Sequence, residues 1–71
     1  MRIAEYLQMV HKVHARTPDW RLGQTYFNVL TQVRGDLAEK VRGSLVDPFH
    51  SDSRVGDFLV FVSDNWDEVS A

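Results

Sequence analysis

Asp47, His50, Asp52 and Asp57 bring three carboxylates and an imidazole into one short stretch, the donor types of a metal site. A calcium loop opening at Asp47 would need glycine at its sixth position and an acid at its twelfth. Asp52 and Phe58 stand there instead. Zinc requires at least three convergent ligands, and loop acids rarely provide them without more than the one histidine of this stretch. His11 and His14 are three apart on one helical face, without an H-E-x-x-H pattern or a third ligand. No metal and no other cofactor is expected.

Nucleophilic chemistry fares no better. Ser44, Ser51 and Ser53 are near His50 along the chain, but no strand, elbow and helix would expose a serine to a base. The Asp67-Glu68 pair is at the end of the chain, and a domain this small has difficulty enclosing a dry pocket. Enzymatic activity is not expected.

A different chemistry is carried by Arg21, Gln24, Asn28 and Gln32. They recur at helical spacing and form a polar ribbon of one cation and three amides. Each amide can donate and accept hydrogen bonds at once. The ribbon is expected to face the Asp47–His50 loop or a partner, rather than bulk solvent.

These groups need elements to position them. Ile3, Tyr6, Leu7, Val10 and Val13 predict an amphipathic helix from Ile3 to His14, ended near Pro18. Thr17, Pro18 and Asp19 are the expected cap and first turn of a second helix. Its apolar residues, Trp20, Leu22, Tyr26, Phe27, Val29, Leu30 and Val33, cover so much of the circumference that it should be central. Gly23 inside it costs about 1 kcal/mol relative to alanine, which implies close approach of another backbone.

A short helix from Asp36 to Arg42 should follow, capped by Asp36 and terminated by Gly43. Val55, Phe58, Leu59, Val62 and Trp66 keep helical spacing, so "FLVFV" is read as helix, with Asp52 or Ser53 as cap. The fold class is therefore all-α: one domain over residues 1–71, a compact bundle of three longer helices and one short one. Residues 43–53 form an ordered loop, with Phe49 packed into the core and the Asp47 carboxylate bonded to backbone N–H groups or Arg42. The expected core is Leu7, Val10, Trp20, Tyr26, Phe27, Leu30, Leu37, Val41, Phe49, Phe58, Leu59 and Val62.

Seventy-one residues are near the lower limit for independent folding, and no cysteine is present to staple them. No apolar run approaches the roughly 20 residues of a membrane span, and Glu5, Gln8, His11 and Lys12 interrupt any signal sequence. The chain is expected to be cytoplasmic, with no membrane partner. Charge is divided: residues 1–42 hold seven Lys/Arg against four acids, residues 43–71 one against six. The two halves should attract each other within one domain, the other reading being an acidic face for a basic partner. Nucleic-acid binding through Arg2, Lys12, Arg16 and Arg21 is the alternative. The acidic second half opposes it, and the "DLAEKVRGS" segment lacks the spacing of a DNA-binding helix-turn-helix. Val60 and Phe61 lie off the main apolar stripe of the last helix, and Tyr6 and Met9 flank that of the first. They would form a patch for a homodimer or a target, or else simply cover a thin core.

Two spaced motifs stand out, R-x-G-Q-x-x-x-N at Arg21–Asn28 and R-G-[ST]-x-x-D-P-[FY] at Arg42–Phe49, followed by an apolar segment closed by Trp66. In this combination, over about residues 20–66, the chain resembles a group of short proteins encoded by bacteriophages and some bacterial genomes. The resemblance implies a phage or prophage origin, with residence in the host bacterial cytoplasm, and an uncharacterised function; it supplies no catalytic residues to carry over. The expected function is non-catalytic binding to a host or phage protein, as an inhibitor or modulator. Candidate contact residues are Arg21, Gln24, Asn28, Asp47, Phe49, His50 and Phe61.

Overall fold

The computed structural model describes residues 1–67. Among them it contains helices α1 (Ile3–Arg16), α2 (Leu22–Val33), α3 (Gly35–Val41) and α4 (Val55–Asn65), the last entered through a 3-10 turn at Asp52–Arg54. The all-α reading holds, with three longer helices, one short one, and an ordered loop between α3 and α4. The apolar periodicity of "FLVFV" resolves as helix: Phe58 and Val62 are fully buried and Trp66 nearly so.

Helix α2 is central, packing against α1, α3 and the 3-10 turn. Its inner face supplies Tyr26, Phe27, Val29 and Leu30 to a core completed by Tyr6, Val10, Leu37, Ala38, Val41, Phe58, Val62 and Trp66. Each fully buried large apolar side chain contributes about 1.5–3 kcal/mol, which a chain this small needs. The radius of gyration is 11.2 Å, against about 11 Å for a close-packed chain of this length.

Four residues expected in the core, Leu7, Trp20, Phe49 and Leu59, are only half-buried; Leu7, Phe49 and Leu59 pack against its edge. Tyr6, expected on the surface patch, is fully buried instead. Its ring stacks on Trp66 at 5.3 Å between centroids. Its hydroxyl donates to the Tyr26 carbonyl at 2.7 Å, which makes burial of the polar end tolerable.

The start of α2 differs from the sequence reading. Thr17 ends α1, its N–H reaching the carbonyls of Val13 and His14 at 2.9 and 3.3 Å. Pro18–Trp20 form a turn, closed by the Trp20 N–H on the Thr17 carbonyl at 3.1 Å. No local side chain caps α2. Its second residue, Gly23, donates instead to Asp52 Oδ1 at 2.8 Å, so Asp52 satisfies the far helix rather than α4. A β-carbon on Gly23 would run into the Pro48 carbonyl and meet Asp52 Oδ1 at 2.9 Å. That is the close backbone approach the glycine implied.

The α2–α3 junction is held by Arg34. Its guanidinium donates to both Asp36 oxygens at 3.1 Å and to the Trp66 carbonyl at 2.6 Å, while lying 4.9 Å from the Trp66 ring centre. Asp36 is thus engaged with Arg34, and α3 begins one residue earlier than expected, at Gly35. Gly43 ends this region with φ +72°, the left-handed conformation that favours glycine.

Candidate functional site

The loop after α3 fixes itself with its own polar groups. Asp47 accepts the N–H of Gly43 at 2.8 Å through one oxygen and of Phe49 at 2.9 Å through the other. Of the two partners foreseen for this carboxylate, the backbone is the one used. Arg42 turns elsewhere, 5.1 Å over the Phe27 ring and 3.3 Å from Glu39 Oε1. Ser44 Oγ accepts the Val46 N–H at 3.2 Å, and Pro48 is fully buried beneath the turn.

Arg21 ties this loop to α2. Its guanidinium donates to the Phe49 carbonyl and approaches Asp52 to 4.0 Å. With Asp52 on Gly23, two links between chain segments about 30 residues apart hold the loop along the start of α2.

Between them is a cleft of about 510 Å³. Trp20, Phe27 and Phe49 give it aromatic walls, and Asn28, Thr31 and Gln32 line it from α2; Arg42, Asp47 and His50 complete it. Phe27 and Phe49 meet edge to face at 5.8 Å, and Phe49 meets His50 at 4.8 Å. Phe49 is therefore half-buried as a wall of the cleft, not a sealed core residue.

Of the seven residues picked from sequence, Asn28, Asp47, Phe49 and His50 come together here. Arg21 holds the loop from behind. Gln24 is half-buried one turn before Asn28 on the same row. Phe61 is apart, half-packed on the core. Trp20, Phe27 and Arg42 were absent from the sequence-based choice. Their signal was adjacency: both aromatics flank the amide ribbon, though their hydrophobicity assigned them to the core.

The amides are chemically available. Among the described residues, the side chains of Gln24, Asn28 and Gln32 make no hydrogen bond within the protein, whereas Thr31 Oγ1 is committed to the Phe27 carbonyl at 3.0 Å. The displaced ionisations are away from the cleft. Burial, with Tyr26 nearby, raises Tyr6 far above the ordinary phenol range. Burial also raises Tyr26. The hydrogen bond between Arg34 and Asp36 raises the guanidinium and lowers the carboxyl.

A smaller cleft of about 250 Å³, sharing Asp47 and His50 with the first, gathers Ser44, Ser51 and Arg54. Ser51 Oγ there pairs with Ser53 Oγ at 2.7 Å, not with His50. No group of three His, Cys, Asp or Glu suited to a metal stands together among the described residues. Glu68 of the Asp67-Glu68 pair lies outside those residues. No described helix is long and apolar enough to cross a membrane. Comparison with family models, curated proteins and solved structures gives no match.

Proposed function

We propose that this chain is a non-catalytic binding protein that docks a protein partner in the cleft between α2 and the Asp47–His50 loop. The observation that carries this reading is a cleft in which half-buried Trp20 and Phe49 stand with Asn28 and Gln32, whose amides have no hydrogen-bond partner among the described residues. Aromatic residues supply contact area, and polar groups at their margin supply orientation, the usual division within protein interfaces. The resemblance to short phage and prophage proteins supports a partner from the phage or its bacterial host, met in the host cytoplasm. There the protein would act as an inhibitor or modulator.

Nucleic acid is disfavoured as the partner. Arg42 is the one Lys or Arg among the described lining residues, and it is already engaged with Phe27 and Glu39. Arg21, one of the cations offered for phosphate contact, is spent on the loop.

A photo-crosslinking residue placed at Gln32, in chains exposed to infected and uninfected bacterial lysate, tests the reading. A discrete protein adduct is expected from Gln32 and not from Lys12 on the exposed side of α1. The adduct should persist as salt is raised, whereas phosphate-driven binding falls steeply. Equal labelling from both positions, or a nucleic-acid adduct lost in salt, would overturn the proposal.

A further inference from the structure

We infer that the cleft takes its partner as an extended polypeptide segment, held through its main chain by the amides of Asn28 and Gln32, with Gln24 continuing the row outside the lined cleft. This rests on the reading of the cleft as a protein-docking site, and it names the form in which the partner binds.

The spacing is the first observation. The three amides stand at i, i+4 and i+8 on α2, and four helical residues rise about 6 Å. An extended chain presents equivalent peptide groups every second residue, about 6.6 Å apart. The mismatch is about 0.6 Å per step, small enough for flexible side chains to absorb. Each amide can donate to a carbonyl and accept from an N–H of the same facing residue. The row therefore offers one two-way contact for every second residue of an extended segment.

Availability is the second. The three side chains have no hydrogen-bond partner among the described residues, although all flank groups that do, such as Arg21, Thr25 and Thr31. Gln24 and Asn28 are half-buried and Gln32 is exposed, and no side-chain polar atom among the described residues is buried without a partner, so the amides stay open to a ligand.

The walls are the third. Trp20 and Phe49, both half-buried, line the cleft together with the buried Phe27 and fit an apolar side chain projecting sideways from the segment. The i, i+4 row turns about 40° around α2 at each step, so the segment crosses the helix obliquely, with the Asp47–His50 loop as its side wall. A helical ligand is a poorer fit, because its backbone groups are spent internally and it would press apolar side chains on a row of amides.

The probe is a linear peptide selected against the full chain from a random library of about twelve-residue sequences. Binding is then measured after N-methylation of each peptide bond in turn, which removes one N–H at a time. Losses of about tenfold or more at alternate positions are expected, with little change between them. Asn28→Leu and Gln32→Leu should each weaken the peptide about tenfold while leaving the melting temperature unchanged. Losses recurring every three or four residues would mean a bound helix and overturn the inference. So would a selection whose peptides ignore both substitutions. If a protein still crosslinks from Gln32 in either case, cleft docking stands and only the extended form fails; loss of that crosslink as well removes both.

Discussion

Asp52 and Gly23, 29 residues apart, meet at 2.8 Å, the carboxylate accepting the N–H of the second residue of α2. A helix leaves its first N–H groups without intrahelical partners, and the residue just before it normally supplies the acceptor. Here Arg21 is in that place and its side chain cannot accept. The acceptor arrives from the 3-10 turn across the fold, and in doing so draws the Asp47–His50 loop against α2. The cap of one helix and the wall of the cleft are thus consequences of the same contact.

Asp52→Ala should cost about 1 kcal/mol of stability, the usual loss when a helix cap is removed. Gly23→Ala should cost more than that despite the better helix propensity of alanine, because its methyl meets the Pro48 carbonyl. Urea denaturation of both variants checks the order. A stabilised Gly23→Ala would show that the loop is not held against α2.

Tyr6 gives a pH signature. An acid raised by burial stays protonated in the folded chain while the unfolded chain ionises, so the folded state binds more protons above pH about 10. Stability is therefore full below pH 10 and falls as pH rises through it. The wild type should lose up to about 1.4 kcal/mol more per pH unit there than Tyr6→Phe. At neutral pH the same variant should cost about 1 kcal/mol for the lost bond to the Tyr26 carbonyl. Parallel denaturation curves at pH 8 and 11 measure both effects.

Phe49→Ala should lower stability by about 2 kcal/mol, short of the roughly 3–5 kcal/mol of a fully buried phenylalanine, because one side faces the cleft. Its melting transition should shift yet remain cooperative. Crosslinking from Gln32 should fall in this variant at temperatures where it is folded.

Light scattering after size exclusion should give the mass of one chain. Of the four residues whose patch would support a homodimer, Tyr6 is in the core and Met9 and Phe61 are half-buried, leaving Val60 at 61% exposure. Val60→Glu should accordingly leave the melting temperature unchanged, whereas Phe61→Glu should reduce stability by about 2 kcal/mol and lower the melting temperature. A doubled mass abolished by Val60→Glu would restore the dimer.

The helices and the central place of α2 were legible in the sequence, because apolar periodicity and Gly43 act within a few residues of themselves; the start of α2 was not, since Pro18 lies in a turn before it. Gly23 likewise announced a close neighbour, since a glycine inside a helix carries its own local cost. The amide row was legible for the same reason, as a spacing along one helix. Tertiary structure alone decided which residue supplied the missing cap, because an Asp offers its carboxylate equally to its own helix or to any N–H brought near. It also decided the fate of the aromatics. Hydrophobicity sends Tyr6, Trp20, Phe27 and Phe49 inward alike. Which of them closes the core and which lines a cleft depends on where the loop crosses α2, and that crossing is set by Asp52, Arg21 and Pro48 from a distant part of the chain.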